Sequence, residues 1–257
     1  MLEVENLSKW FGGLRAVDGC SFTVRGGTIT GLIGPNGAGK TTVFNLLTGF
    51  LRPDKGRVRF KGDDITGLPP YQVFRRGIAR TFQIPREFKE MTVLENLMLV
   101  PWGQLGERIL YPFLRPAGVA RQEGLIRVRA MGVLEFLGLD KHADDPAGSL
   151  SGGQKKLLEL GKALMSEPQL VMLDEPGAGV NRTLLKSIAA SIERVSEELG
   201  TTFLLIEHDM DFVMRLCDPV IVMSEGRKLT EGTPTEVQRN PEVLEAYLGG
   251  QYVAVEG

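Results

Sequence analysis

Apolar runs of strand length alternate with longer segments along most of this chain. The runs at 28–33, 170–173 and 202–206 are rich in apolar residues, as is typical of strands buried on both faces of a sheet. Segments 40–48 and 183–199 between them are predicted to be helices. Because strands connected through helices form right-handed crossovers, this order predicts a mostly parallel sheet covered by helices.

Shorter alternating segments accompany these runs. Residues 2–4, 22–24 and 57–61 alternate between apolar and polar positions and predict short strands. Residues 79–82 predict a further strand, which leads into a polar loop at Gln83. We therefore expect additional β structure around the N-terminal part of the main sheet.

The character of the sequence changes between residues 91 and 149. Residues 92–99 are predicted to be helical, and apolar residues then recur at every third position on one predicted helical stripe. Prolines interrupt the stretch between these helices and indicate a loop-rich insertion. We expect a helical subdomain at 91–149, inserted into a core formed by 1–90 and 150–257. The stripe consists of Leu125, Val128, Met131, Leu134 and Leu137, and the prolines are Pro101, Pro112 and Pro116.

The composition is that of an ordinary globular protein. Hydrophobic residues make up 42% and charged residues 24% of the chain, and the formal net charge is −2. This charge gives no reason to expect a nucleic-acid partner. No apolar run approaches the roughly 18–20 residues that a membrane-spanning helix needs. We therefore expect that any role at a membrane is exerted through another protein.

One glycine-rich segment follows the first buried strand and fits the phosphate-binding pattern GxxxxGK[ST]. Its glycines allow successive backbone N–H groups to face one concavity, at the positive end of the next helix. Lys40 supplies a charge for the β and γ phosphates, and the Thr41 hydroxyl is a Mg²⁺ ligand in this pattern. No Asn-Lys-x-Asp sequence is present, which argues against a GTPase. The predicted nucleotide-binding residues are Gly34, Pro35, Asn36, Gly37, Ala38, Gly39, Lys40, Thr41 and Thr42.

A pair of carboxylates follows the buried strand at 170–173. In a parallel sheet, Asp174 would emerge at the carboxyl end of this strand, beside the glycine-rich loop. Asp174 is predicted to hold the hydration shell of Mg²⁺. Glu175 is predicted to orient and deprotonate the water that attacks the γ-phosphate.

The sequence Leu150-Ser151-Gly152-Gly153-Gln154 precedes a predicted helix upstream of this strand. Ser151 can cap the helix, and the two glycines allow close backbone approach to a phosphate. With this LSGGQ signature the chain resembles the ABC ATPases. The resemblance implies a P-loop NTPase core with an N-terminal antiparallel β portion and an inserted helical subdomain. It also implies ATP hydrolysis with Mg²⁺, in a head-to-tail dimer of identical or similar subunits. Ser151, Gly152, Gly153 and Gln154 would then contact the ATP held by the other subunit.

The resemblance assigns roles to further residues. Gln83 matches the glutamine that reaches Mg²⁺ beside Thr41 and Asp174, and His208 matches the switch histidine that acts in catalysis with Glu175 and Lys40. Phe11 matches the aromatic position that stacks on adenine, although the adjacent Trp10 is an alternative. Asn181 replaces the aspartate found in most relatives, and the remaining histidine, His142, is expected at the surface.

Within this family the chain is most similar to the ATPases of branched-chain amino acid importers. This similarity implies a cytoplasmic protein on the inner face of the membrane, bound to permease subunits and indirectly to a substrate-binding protein. Urea or amide import, lipopolysaccharide export and a soluble cluster-assembly ATPase remain alternatives. The permease groove is expected around residues 84–88, with Arg86, Phe88 and Met91. The similarity rests on residues 80–83, 90–97, 206–210, 240–241 and 246–249, and on the insertion at 101–120.

Overall fold

The computed structural model describes residues 1–81, 87–107 and 115–252, with side chains described up to residue 247. These residues form two compact units. The larger unit contains Met1–Arg80, Gln169–Ala178 and the chain from Leu185 onward. The smaller unit contains Thr81–Pro168 and Gly179–Leu184.

Two sheets form the larger unit. One is antiparallel with strand order β2-β1-β4-β5, and the other has the order β10-β9-β3-β8-β7-β6. In the second sheet only the β9–β10 pair is antiparallel. This arrangement confirms the predicted mostly parallel sheet with an N-terminal antiparallel portion. The strands are β1 Leu2–Phe11, β2 Leu14–Val24, β3 Ile29–Ile33, β4 Lys55–Phe60, β5 Asp63–Asp64, β6 Ile78–Arg80, β7 Leu170–Asp174, β8 Thr202–Ile206, β9 Val220–Ser224 and β10 Arg227–Gly232.

Helices connect strands of the larger unit, and other helices belong to the smaller unit. Pro70 and Pro234 each occupy the first turn of their helix, where a missing N–H costs nothing. The helices are α1 Lys40–Leu47, α2 Pro70–Arg75, α3 Val93–Met98, α4 Pro116–Leu137, α5 Gly152–Met165, α6 Arg182–Leu199, α7 Met210–Leu216, α8 Pro234–Arg239 and α9 Pro241–Tyr252.

The two sheets of the larger unit share one hydrophobic core. Every residue of β7 and β8 is buried, as the continuous apolar runs predicted. Phe44 on α1 is fully buried in this core together with residues of both sheets, including Leu2, Leu7 and Leu32. The core therefore fixes α1 and the loop before it against the carboxyl end of β3.

The N-terminal strands are longer than the sequence pattern suggested. β1 and β2 span ten and eleven residues, whereas alternation predicted only 2–4 and 22–24. Register shifts interrupt their pairing after Val4, Leu7 and Lys9. Each irregularity moves side chains out of strict alternation between the two faces, so the alternating pattern ends before the strand does.

Three helices pack together in the smaller unit. The capping box of Thr92 and Glu95 begins α3, in agreement with the predicted helix at 92–99. A Cβ at Gly161 of α5 would lie 3.0 Å from Leu137 of α4 and 3.3 Å from Leu97 of α3, so a glycine permits this close approach. The compact unit therefore includes the signature helix α5, whereas the predicted helical subdomain ended at 149.

The predicted apolar stripe on α4 is wrong at its N-terminal end. Leu125 and Val128 are 65% and 73% exposed, while Ala130 and Leu134 are fully buried. A helix turns by about 100° per residue, so a three-residue repeat slips about 60° per step and reaches the opposite face within three steps. The buried positions follow the four-residue and seven-residue spacing of a true helical face. Pro116, expected in a loop, instead occupies the first turn of α4, where it is tolerated.

Alanine substitutions on α4 test this assignment of faces. Leu134→Ala is expected to lower the free energy of unfolding by about 2–5 kcal/mol, because it leaves a cavity among α3, α4 and α5. Leu125→Ala removes the same atoms from an exposed position and is expected to change stability by less than about 0.5 kcal/mol. Urea unfolding of both variants measures the difference, and equal losses would contradict the assignment.

Candidate nucleotide-binding site

The glycine-rich loop joins β3 to α1 at a place where three segments of backbone meet. A Cβ at Gly34 would overlap the carbonyl of Met223 on β9, and one at Gly39 would overlap the carbonyl of Ala16 on β2. Gly226, in the turn between β9 and β10, donates its N–H to the Ala38 carbonyl (3.1 Å) and accepts from the N–H of Asp18 (2.9 Å). The loop therefore requires glycine at 34 and 39 and is braced by the C-terminal hairpin.

Helix α1 begins at this loop with its first N–H groups uncapped by any side chain. Gly39 is its N-cap and makes no side-chain hydrogen bond. The first N–H groups of a helix have no partner within it and, with the helix dipole, favour a bound anion. The N-terminus of α1 therefore has the character of a phosphate-binding site.

Lys40 is buried within the loop that it follows. Its ammonium donates to the carbonyls of Gly34 (2.7 Å) and Pro35 (3.0 Å), and the residue is only 6% exposed. Burial lowers the pKa of Lys40, and the nearby carboxylate of Glu175 opposes this shift. The ammonium is thus held beside the concave face of the loop before any ligand arrives.

A cavity of about 630 Å³ brings the glycine-rich loop together with other predicted site residues. Phe11 contributes to its wall and is 47% exposed. Trp10, the alternative to Phe11, is absent from the lining. A lysine ammonium lies over each ring, Lys9 at 5.7 Å from the centre of Phe11 and Lys55 at 5.4 Å from that of Trp10. The cavity is lined by Phe11, Leu14, Arg15, Ala16, Asn36, Gly37, Ala38, Gly39, Lys40, Thr41, Thr42, Glu175, His208 and Glu225.

Glu175 and His208 face each other at this cavity. His208 Nε2 lies 3.1 Å from Glu175 Oε1, which is within hydrogen-bonding distance. Glu175 follows β7 with a φ of 50°, in the left-handed region that residues other than glycine rarely occupy. Its N–H donates to the carbonyl of Ile206 at the end of β8 (2.9 Å). The adjacent parallel strands β7 and β8 therefore deliver both side chains to one place.

Asp174 lies next to this cavity in a buried ion pair and is absent from its lining. Its Oδ2 accepts a hydrogen bond from Arg80 (2.7 Å), and the two side chains are 10% and 8% exposed. The same guanidinium donates to Asn45 (2.7 Å) and Thr48 (3.2 Å) on and after α1. Arg80 was not predicted as a site residue, because nothing in its local sequence indicates a partner so far along the chain.

Glu207 is a second residue that sequence reasoning missed. It is only 4% exposed, and its two carboxylate oxygens accept from the N–H groups of Gly177 (2.5 Å) and His208 (2.9 Å). A buried carboxylate that accepts backbone N–H bonds fixes the segments that donate them. Glu207 therefore connects the loop that follows Glu175 with the backbone of its own neighbour in sequence, His208.

The signature residues begin helix α5 in the smaller unit. Ser151 is the N-cap, and its N–H donates to Gln154 Oε1 (2.9 Å) while its hydroxyl oxygen accepts from the Gln154 N–H (3.4 Å). The hydroxyl proton of Ser151 is therefore available to another acceptor. Gly152 is exposed, whereas a Cβ at Gly153 would overlap the side chain of Leu184. These features fit the predicted anion-binding role of this segment.

Asn181 stands where most relatives have aspartate, and it keeps the helix-capping role that aspartate could have there. Its side-chain oxygen accepts from the N–H of Leu184 (3.0 Å), so it caps the N-terminus of α6. Asparagine and aspartate serve equally well at this position. Gln83 and Arg86, which were assigned to Mg²⁺ and to the permease groove, lie outside the described residues.

The described part of the chain contains neither a membrane-spanning helix nor a cluster of metal-binding side chains. None of its helices combines the length and hydrophobicity needed to span a membrane. It also contains no group of three or more histidine, cysteine or acidic side chains arranged to hold a metal ion.

Comparison with known protein families agrees with the geometry of the site. A family model described as ABC transporter matches residues 17–178. A second model, described as branched-chain amino acid ATP-binding cassette transporter, matches residues 227–253. These matches confirm the resemblance that the glycine-rich loop and the signature indicated.

Individual proteins are similar over the full length. The chain is 45% identical to the probable branched-chain amino acid transport ATP-binding protein LivG of Archaeoglobus fulgidus, with coverage of 100% of this chain and 98% of the relative. It is 42% identical to the high-affinity branched-chain amino acid transport ATP-binding protein BraF of Pseudomonas aeruginosa, with coverage of 97% and 98%.

Solved structures show the same fold. An ATP-binding cassette of an ABC transporter in its ADP conformation is 41% identical, with a TM-score of 0.82 and coverage of 97% of this chain and 98% of that structure. A nucleotide-free ATP-binding cassette from an ABC transporter is 40% identical, with a TM-score of 0.81 and coverage of 96% and 98%. By its sequence, its fold and the arrangement of its glycine-rich loop, this chain belongs to the ABC transporter family of ATP-binding cassettes.

Proposed function

We propose that this chain is the ATP-binding and ATP-hydrolysing subunit of a branched-chain amino acid transporter and acts through a separate membrane permease. The observation that carries the proposal is the single cavity on which the N-terminus of α1, Lys40, Glu175 and His208 converge. The cargo is supported by full-length relatives named as branched-chain amino acid transport ATP-binding proteins. We further propose that this transporter is an importer and that a substrate-binding protein delivers its cargo.

Each part of ATP has a matching surface in this cavity. The ring of Phe11 offers a face for the adenine base, and the N–H groups at the start of α1 suit the phosphates. The Lys40 ammonium can exchange the carbonyls of Gly34 and Pro35 for phosphate oxygens, which would form stronger hydrogen bonds because the acceptor is charged. Nucleotide binding is also the common property of the family.

The residues beside the loop fit Mg²⁺ bound together with ATP. Mg²⁺ prefers oxygen donors, usually one or two from protein side chains, with water and phosphate oxygens completing its shell. The Thr41 hydroxyl and the Asp174 carboxylate supply such donors, and Gln83 is the third predicted one. When bound, the ion would neutralise charge on the β and γ phosphates.

Glu175 would act as the general base in hydrolysis. Glu175 lines the cavity together with the loop, where its carboxylate can orient a water molecule and take its proton. His208 holds this carboxylate through the 3.1 Å contact and can itself contact the γ-phosphate. The left-handed backbone at Glu175 and the Glu207 bridge fix both residues before substrate binds.

A second subunit would complete each site. The chain carries one glycine-rich loop and one signature, and the signature serine presents an unused hydroxyl proton at a helix N-terminus. In a head-to-tail dimer, each ATP would lie between the loop of one subunit and Ser151–Gln154 of the other. ATP binding would close the pair and hydrolysis would reopen it. We place this dimer on the cytoplasmic face of the membrane, where its permease would respond to each cycle.

Replacement of the proposed base tests the hydrolytic role. Glu175→Gln is expected to lower steady ATP turnover by about 10²-fold or more, because general base catalysis is lost while the side chain keeps its size. The variant should form an ATP-stabilised dimer, measured by gel filtration with ATP. Glu198→Gln, at an exposed position on α6, serves as the control and should turn over like the parent. A Glu175→Gln variant that stays monomeric with ATP would argue against this role.

Removal of the loop ammonium tests ATP binding itself. Lys40→Ala is expected to weaken ATP affinity about 10-fold to 100-fold, the range for losing charge-assisted hydrogen bonds of about 1.5–3 kcal/mol. Equilibrium titration with ATP measures this change, and Lys61→Ala at an exposed turn is the control. Unchanged affinity in Lys40→Ala would contradict the phosphate-binding assignment.

The buried pair beside the site has a measurable effect on stability. Arg80→Met leaves the Asp174 carboxylate buried without its guanidinium and is expected to cost about 3–5 kcal/mol. Arg57→Met breaks an exposed pair with Asp64 and is expected to cost no more than about 1 kcal/mol. Urea unfolding compares the two, and similar small losses would mean that Asp174 does not depend on Arg80.

A further inference from the structure

The second histidine of the chain contacts the signature motif. His142 Nε2 lies 2.9 Å from Gln154 Nε2, and His142 Nδ1 lies 2.8 Å from Asp145 Oδ2. His142 ends the short 3₁₀ turn Asp140–His142, and the N–H of Asp145 donates to its carbonyl (3.0 Å). The sequence predicted a surface histidine without a role, but its ring lies between an acidic side chain and the glutamine of the signature.

The hydrogen bonds around His142 determine which group donates and which accepts at each contact. Gln154 Oε1 accepts from the N–H of Ser151, so the Gln154 amide nitrogen faces His142 and donates to it. His142 Nε2 must then be the unprotonated acceptor, and the ring proton lies on Nδ1, from which it is donated to Asp145. The order Asp145, His142, Gln154, Ser151 is therefore a continuous series of donors and acceptors.

Other capping boxes in the chain show why the signature needs this support. Thr92 and Thr233 donate their N–H groups to the carboxylates of Glu95 and Glu236 (2.8 Å each), and either oxygen of a carboxylate can accept. The signature has the neutral Gln154 at the equivalent position, and only one end of its amide is an acceptor. A group that accepts from the amide nitrogen selects the orientation in which the oxygen faces Ser151.

We propose that His142 is a positioning residue for the signature serine, acting through Gln154 and oriented by Asp145. The proposal rests on the proposed function, in which Ser151 contacts ATP held by a second subunit. The Ser151 hydroxyl itself receives only the long 3.4 Å contact from the Gln154 N–H, so the 2.9 Å bond from its own N–H holds the residue more firmly. Loss of the His142 acceptor frees the Gln154 amide to rotate and loosens that bond.

Three substitutions at one position separate the two contacts of the ring. Glutamine places an amide oxygen near the position of Nε2 and can still accept from Gln154. Asparagine places its amide near the position of Nδ1 and can reach only Asp145. Alanine reaches neither residue. His142→Gln, His142→Asn and His142→Ala are each combined with Glu175→Gln, so that ATP is bound without being hydrolysed.

The dissociation constant of the ATP-bound dimer is measured by analytical ultracentrifugation, and ATP affinity of the monomer by titration. We expect His142→Asn and His142→Ala to raise the dimer dissociation constant about tenfold to a hundredfold, because the dimer contains two such sites and each loses the effect of one neutral hydrogen bond, about threefold to tenfold. His142→Gln should stay within about twofold of the parent. ATP affinity of the monomer should be unchanged in all three, because the glycine-rich loop is untouched.

Each alternative result overturns the proposal. Equal dimer affinity in all three variants would show that His142 does not support Ser151. Rescue by asparagine instead of glutamine would show that only the Asp145 contact matters. A parallel loss of monomer ATP affinity or of thermal stability would show a general structural role.

Ser151→Ala in the same background distinguishes the underlying function from this inference. If Ser151→Ala leaves the dimer unaffected, the proposed contact of the signature with ATP in the other subunit is wrong. If Ser151→Ala weakens the dimer and the His142 variants do not, only the positioning role is wrong.

Discussion

A helix N-terminus binds a phosphate best when its backbone N–H groups can approach the anion closely. In this chain the requirement is met because the loop before α1 packs closely against neighbouring backbone segments. The loop before α1 is pressed against the carbonyls of Met223 and Ala16, so glycines occupy the points of contact. The hydrophobic core under Phe44 then fixes the helix that supplies the N–H groups. The cavity and its chemistry follow from this arrangement.

Charged groups around the cavity are held by partners that do not themselves line it. Arg80 neutralises Asp174, and Glu207 fixes two backbone segments through N–H groups alone. Such buried groups are costly to leave unpaired, so each of them has at least one short hydrogen bond. Glu175 and His208 are therefore positioned by a surrounding set of polar contacts, while both residues line the cavity.

The sequence predicted those parts of the site that depend on short motifs. Lys40, Glu175 and Ser151 each lie beside the turn or strand end that defines their environment, so local spacing was sufficient. Arg80 and Glu207 could not be assigned in this way, because their partners approach only after the sheet has formed. The contact between His142 and Gln154 was missed for the same reason, since the two residues are 12 positions apart in the sequence. The misplaced stripe on α4 arose from counting in threes where a helix repeats every 3.6 residues.

The hairpin of β9 and β10 has a consequence for biosynthesis. Strand β3, which leads into the nucleotide loop, pairs with β8 on one side and β9 on the other, and Gly226 braces the loop through Ala38. A ribosome releases β3 and α1 early, whereas these neighbours emerge only with the last part of the chain. Until the hairpin has been synthesised, β3 lacks its neighbour β9 and the loop lacks the hydrogen bond from Gly226 to Ala38. A chain that stops before residue 220 would therefore lack both the strand that flanks β3 on this side and the Gly226 contact that braces the loop.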